Sequence, residues 1–285
     1  MCGISHIFDP LHCAWVRASL INAIRLQPAS KDLAMPLQFH QFAYNSDNYG
    51  VLVHDPATAT TTCIDAGDAG AVLEALEVTG WALSDLWITH HHWDHTDGLA
   101  ELKAKTGCTV TGPDGVKGVD KIMKGGDSFA FAGHSVEVIH TPGHTLDMLN
   151  FYLPEAQCVF TGDTLFVMGC GRLFEGDGPM MWASMQKLMA LPPETVVYCA
   201  HEYTLASAAF ALSVDPDNSA LQAQVARVKA LREQGTPTVP TDIATELATN
   251  PFLRPHDAAI RSGLGMQDAT DAEVFTEIRA RKDRF

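Results

Sequence analysis

Thr89-His90-His91-His92-Trp93-Asp94-His95 follows directly on the short apolar run Leu86-Trp87-Ile88. This pattern predicts a buried strand that stops at the sheet edge and hands its polar side chains to a loop, the place where ligand sites collect on open α/β sheets. Alternate side chains of an extended segment share a face, so His90 and His92 can chelate one cation while His91 points away. Asp94 and His95 follow the turn, close enough to serve the same ion or a neighbour. The competing reading is an exposed polar loop with idle histidines, since isolated motifs do arise by chance.

The same arrangement recurs downstream. The strand-like Val136-Glu137-Val138-Ile139 leads to Thr141-Pro142-Gly143-His144-Thr145, and Cys158-Val159-Phe160 runs into Thr161-Gly162-Asp163-Thr164. Thr195-Val196-Val197-Tyr198-Cys199 delivers His201-Glu202-Tyr203. Counting ligands gives two shells: His90, His92 and His144 for one ion, Asp94, His95 and His201 for another, with the Asp163 carboxylate bridging. Nitrogen and oxygen ligation of this kind suits zinc first, with iron or manganese as alternatives, and an open bridging position marks a catalytic site. Two divalent ions acidify a shared water and polarise a carbonyl oxygen, so Asp94 and Asp163 are the candidate catalytic carboxylates beside a metal-bridging hydroxide. His6, His12, His40, His54, His134 and His256 stand alone and are assigned to surface or core roles. His91 is expected to hydrogen-bond behind the ligands, and Trp93 to wedge against the loop.

Around these stretches, a period-two pattern through Phe39, Tyr44, Tyr49, Val51 and Val53 predicts a hairpin turning at Asn45-Ser46-Asp47-Asn48. A third strand at Thr61-Thr62-Cys63-Ile64-Asp65 precedes a helix capped by Asp68 and ended by Gly80, with a second helix stopping at Gly107. Strands alternating with helices imply an α/β chain with mixed sheets covered by helices. Gly112 to Gly126 reads as a loop. Past Thr204, Ala, Leu, Glu and Gln dominate, and helices are predicted over about 205–212, 219–234 and 271–282. The division is therefore 1–34 as a poorly ordered extension, 35–204 as the catalytic domain opened by Met35, and 205–285 as a helical domain. A transit peptide is the alternative reading of the extension. The tail Arg279-Ala280-Arg281-Lys282-Asp283-Arg284 reads either as a helix end complementing its dipole or as an anion clamp.

The chain has 285 residues and a formal net charge of −15, which disfavours nucleic acid and anionic membrane surfaces as partners. No apolar run is long enough to span a bilayer. The seven cysteines are scattered, without zinc-type spacing or a disulfide framework, as expected of reduced thiols in a cytoplasmic protein. A monomer is expected.

The Thr89 to His95 run resembles the signature of the metallo-β-lactamase superfamily. That resemblance implies an αββα sandwich of two mixed sheets with a metal site, followed here by a smaller C-terminal helical domain. Thr141 to Thr145, Phe160 to Phe166, Gly169-Cys170-Gly171-Arg172, Val197 to Thr204, Asn250-Pro251-Phe252-Leu253-Arg254 and Lys282-Asp283 are similar to the glyoxalase II family, the hydroxyacylglutathione hydrolases. The family implies hydrolysis of S-D-lactoylglutathione to D-lactate and glutathione on a dinuclear site, with the ligands falling on the residues counted above. It places glutathione contacts on Arg172, Tyr203, Arg279 and Lys282, which gives the basic tail a purpose. Phe174 departs from the pattern where a tyrosine hydroxyl commonly meets glutathione, and Asp147-Met148 replaces a usual Gly-His pair. Other hydrolases of the superfamily and the mononuclear-iron persulfide dioxygenases are the enzymatic alternatives. A non-catalytic metal-binding module is the remote one.

Overall fold

The computed structural model describes residues 36–285; the assigned extension and Met35 lie outside the described residues. Strands β1 (Gln38–Tyr44), β2 (Asn48–Asp55), β3 (Thr60–Ile64), β4 (Asp85–Trp87), β5 (Thr109–Gly112) and β6 (Lys121–Ile122) form one sheet in that order. The first three are antiparallel, and β3 to β6 run parallel. The second sheet takes β7 (Ser128–Phe131), β8 (His134–His140), β9 (Leu149–Leu153), β10 (Cys158–Gly162), β13 (Val196–Cys199) and β14 (Thr241–Asp242), while β11 (Leu165–Phe166) and β12 (Gly169–Cys170) form a separate two-stranded ribbon. In the second sheet the order is β14-β13-β10-β9-β8-β7, with β10 and β13 parallel and the remaining pairs antiparallel.

Alternation along the strands divides the core into layers. Val51 and Val53 of β2 face inward, where Ile64 and Trp87 meet Phe131, Val136, Val138, Phe151 and Phe160 of the second sheet. Trp87 ties the sheets together, its ring 5.2 Å from Phe129 and Phe131 and 5.5 Å from Phe151. Leu52, lying between the two valines, faces outward with Cys63 and Val110. It packs there on α1 (Ala69–Thr79) and α3 (Leu99–Thr106). Asp68 caps α1 by accepting from Ala71 N, and Gly80 ends it in the left-handed region at φ 73°, as the sequence predicts.

The outer face of the second sheet carries the fourth layer. Val159 and Val197 pack on Met181, Met185 and Leu188 of α4 (Gly178–Met189), and the same cluster takes in Phe210, Phe252 and Phe275. These belong to the C-terminal helices α5 (Thr204–Val214), α6 (Ser219–Glu233), α7 (Ile243–Thr249), α8 (Ala258–Leu264) and α9 (Asp271–Arg284), with Phe252 in a 3₁₀ turn after α7. The helical segment thus shares a core with the sandwich, so its elements hold fixed positions against the strand ends.

Some elements depart from the sequence reading. The stretch read as a loop from Gly112 contains β6, which is pinned by Met123 N donating to Gly112 O at 2.9 Å. β7 forms because Ala132 and Gly133 both take positive φ, 50° and 90°, and turn the chain straight back into β8. The seven-residue α7 and α8 are too short to show a clear apolar period.

Candidate metal centre

The strand ends open along one edge of the sandwich. His90 follows β4; His92 caps the one-turn helix α2 (Trp93–Thr96), which carries Asp94 and His95. His144 lies in the β8–β9 loop, Asp163 just past β10 and His201 just past β13. The ligand atoms of His90, His92 and His144 lie within 4.8 Å of one another, as do those of Asp94, His95 and His201. Asp163 joins the groups, with Oδ2 3.3 Å from His144 Nε2 and Oδ1 3.2 Å from His201 Nε2. The sequence-predicted ligands are therefore all brought together.

The hydrogen bonds behind the ligands fix their tautomers. His95 Nδ1 donates to Asp65 Oδ2 at 2.8 Å, His201 Nδ1 to Asp47 Oδ1 at 2.9 Å and His144 Nδ1 to the Arg172 carbonyl at 2.8 Å. Thr89 Oγ1 spends its proton on Asp65 and so accepts from His90 Nδ1 at 2.9 Å. In its neutral form every one of these rings then turns a bare Nε2 lone pair inward. His90 Nε2 and His144 Nε2 each lie 3.0 Å from His92 Nδ1. His95 Nε2, His201 Nε2 and Asp163 Oδ1 are buried with no hydrogen-bond partner. Acceptors converging on acceptors in a buried space repel unless cations lie among them, so this donor set fits divalent metal ions.

Electrostatics divides the site. Burial, reinforced by neighbouring imidazoles, lowers the pKa of His90 and His92, and burial outweighs Asp163 to lower that of His144, leaving three neutral donors. Burial also pushes His95 and His201 down, but nearby carboxylates, Asp65 and Asp163 for His95 and Asp163 for His201, outweigh it and raise both, so without a cation these two rings carry the positive charge that a metal ion would supply. Asp163, which burial alone would raise, is held well below the carboxylate range by His201 and His95.

Asp65, Asp47 and Asn48 were not among the residues picked out from sequence. Asp65 ends β3 at φ 59° and holds Thr89 N, Thr89 Oγ1 and His95 Nδ1. Its signal was present, an acid at a strand end before Ala66-Gly67. Close packing there has no room for a side chain at residue 67, since a Cβ on Gly67 would sit 1.8 Å from the Asp94 carbonyl. His91 pairs with Asp147 at 3.0 Å and Glu175 at 3.5 Å, outside the ligand shells. Trp93 is 64 % exposed and does not wedge against the loop: α2 is a single turn, and its indole finds no neighbouring layer.

The expected substrate contacts are placed unequally. Tyr203 lies flat on His201, centroids 4.6 Å apart and planes 2° from parallel. Arg172 is exposed, with Nε 3.4 Å from Asp283 Oδ1, and Phe174 stands edge-on to His92 and His144. Lys282 donates to the Ala206 carbonyl at 3.0 Å and lies over Phe210 and Phe285. Arg279 departs from its expected role as an open glutathione contact. It is buried against the Phe252 ring and commits its guanidinium to Cys170 O and Asp283, both at 2.9 Å.

Comparison with known proteins agrees with this geometry. The model of the metallo-beta-lactamase superfamily matches residues 51–201, and that of the hydroxyacylglutathione hydrolase C-terminus matches 202–285. The hydroxyacylglutathione hydrolase of Brucella anthropi is 54 % identical over 257 residues, 89 % of this chain and 99 % of that one. The chain belongs to the hydroxyacylglutathione hydrolases, within the metallo-β-lactamase superfamily. The hydroxyacylglutathione hydrolase of Brucella ovis is 53 % identical over 87 % of this chain and 98 % of its own. Among solved structures, ETHE1 from Myxococcus xanthus has a TM-score of 0.62 at 26 % identity, covering 85 % of this chain and 89 % of that one. The BLEG-1 B3 metallo-beta-lactamase shares the fold, with a TM-score of 0.59 at 20 % identity over 76 % of this chain and all of its own. As members of this family, the convergent His and Asp clusters are a site for divalent metal. Among the described residues no helix is long and apolar enough to cross a membrane.

Proposed function

We propose that this chain hydrolyses S-D-lactoylglutathione to D-lactate and glutathione, the second step of methylglyoxal detoxification, as a cytoplasmic monomer holding two divalent ions, zinc foremost, with iron or manganese as alternatives. The observation that carries the reading is a complete, convergent ligand set in a chain 54 % identical, over most of its length, to a hydroxyacylglutathione hydrolase. His90, His92 and His144 would hold one ion and Asp94, His95 and His201 the other, with Asp163 shared. When bound, such ions acidify a water and polarise the thioester carbonyl.

The protein's own groups do the rest. Asp163 and Asp94 remain anionic, Asp94 because the hydrogen bond and charge of His95 outweigh the upward push of burial. Asp94 is the more open of the two, its side chain 19 % exposed against 9 % for Asp163, so it accepts a hydrogen bond from the attacking water and orients it. The thiolate leaves without needing a general acid, because a thiol of pKa about 8.5 makes a far better leaving group than an alcohol, and the released thiolate takes its proton from water. Tyr203 gives the acyl and thiol portions a flat wall over His201, and Arg172 and Lys282 attract the carboxylates of the glutathione moiety despite the net charge. Arg279 lies buried behind them, paired with Asp283 and the Cys170 carbonyl. In this reading residues 35–204 carry the chemistry and the Arg172 and Tyr203 contacts, and 205–285 complete the substrate site.

The test compares kcat/KM for S-D-lactoylglutathione with that for a lactoyl thioester of an uncharged thiol, in wild type and Arg172→Ala. A preference for the glutathione ester that shrinks in the variant supports the reading. Equal rates on both esters would contradict it.

A further inference from the structure

We propose that the β1–β2 turn, through Asp47 and Asn48, is the device that assembles one half of the metal centre, the half formed by Asp94, His95 and His201. The proposal rests on the two-ion reading above. Asp47 Oδ1 accepts from His201 Nδ1 at 2.9 Å, and Asn48 Nδ2 donates to Asp94 Oδ2 at 3.0 Å. Two ligands delivered by unrelated elements, one beyond β13 and one on α2, are thus gripped by adjacent residues of one turn. The backbone reinforces the grip: Glu202 N donates to the Asp47 carbonyl at 2.9 Å, Tyr49 N to the Ala200 carbonyl at 2.7 Å, and Asn48 forms an isolated bridge with His201. No hydrogen bond among the described residues joins this turn to His90, His92 or His144; Thr89 supports His90, and the Arg172 carbonyl supports His144.

The chemistry of this contact is directional. A carboxylate can only accept, so Asp47 keeps the His201 proton on Nδ1 and leaves Nε2 bare toward Asp163. The Asn48 amide donates to Asp94 and so fixes which carboxylate oxygen faces the turn. Tyr203 stacks on His201, so by orienting this ligand Asp47 also sets the surface on which that ring lies. Asp47 and Asn48 act through other residues and are positioning residues. The Asp47 side chain is 36 % exposed at a hairpin tip, so its removal leaves the core intact.

The experiment titrates the full-length chain, stripped of metal, with Zn²⁺ alone and follows each binding step calorimetrically, with Co²⁺ absorption as a second readout. Wild type takes up two ions. Asp47→Ala retains one at wild-type affinity and binds the other roughly ten- to a hundred-fold more weakly. Asp47→Asn, whose amide oxygen still accepts from Nδ1, recovers most of that loss. Ser46→Ala, which removes a contact only to the other Asp47 oxygen, behaves as wild type. Two equally tight ions in Asp47→Ala, or equal weakening of both, would overturn the proposal. Selective weakening together with no thioester hydrolysis by wild type would support the positioning role while refuting the proposed substrate. Wild type that takes up a single ion would overturn both.

Discussion

Asp163 Oδ1 lies 3.2 Å from His201 Nε2, and neither atom has a hydrogen-bond partner. With His201 neutral and its proton held on Nδ1 by Asp47, two acceptors face each other in a buried space. Each buried acceptor left unpaired costs about 1–3 kcal/mol. A divalent cation removes that cost and exists as a ligand of the folded state alone. Metal-free protein is therefore expected to stay folded but melt at lower temperature, with Zn²⁺ at a hundred times its dissociation constant adding about 2.7 kcal/mol per site. Calorimetric melting with and without chelator checks this, and a melting temperature indifferent to metal would contradict it.

The C-terminal helices are joined by an aromatic cluster that reaches the sandwich through Trp182 of α4 and Val159 and Val197. Phe252 is fully buried, 5.9 Å from Phe210 and 5.7 Å from Phe275. Phe252→Ala should cost about 3–5 kcal/mol by loss of transfer energy and creation of a cavity. Because Arg279 packs on the same ring, the end of α9 that carries Lys282 should shift with it, raising KM more than it lowers kcat. A urea midpoint within error of wild type would refute the shared core.

Burial raises the pKa of Glu246 to about 7 from an ordinary 4.5, although Met168 N, Thr241 Oγ1 and Asn250 Nδ2 all donate to it. Between those values the folded state holds a proton that the unfolded state has released. Stability therefore falls as pH rises through this window, by about 3 kcal/mol when complete. Glu246→Gln should flatten the pH dependence of unfolding between pH 4.5 and 8, its amide nitrogen donating to a reversed Thr241 hydroxyl. An unchanged slope would place the pH dependence elsewhere.

Asp283 accepts from Arg279 and lies beside Arg172, so it neutralises charge where an anionic substrate is proposed to dock. Replacing it by an isosteric amide, Asp283→Asn, should lower KM for a glutathione thioester a few-fold, the scale of an exposed ion pair, with kcat unchanged. The gain should vanish at high salt. A KM that rises instead would assign Asp283 to positioning Arg172.

The ligands were legible because each chemistry-bearing residue follows an apolar strand run, and strand ends are ordered by short-range pattern. The sandwich followed from the same alternation, in which Leu52 and its flanking valines face opposite layers. What was not legible depends on contacts between distant segments. Arg279 is buried by Phe252 and the Cys170 carbonyl, and nothing in the charged tail announces either partner. Asp47 reads as an ordinary hairpin residue until β13 brings His201 against it. β7 escaped because its turn is Ala132-Gly133, without the Asn-Gly or Asp-Gly pair that marks such hairpins.

The most direct measurement determines, on one preparation, the metal content per chain and the rate of thiol release from S-D-lactoylglutathione. The account predicts two divalent ions per chain and a thiol release that falls with chelation and returns with added metal. Protein carrying two ions that releases no thiol from this substrate would contradict it.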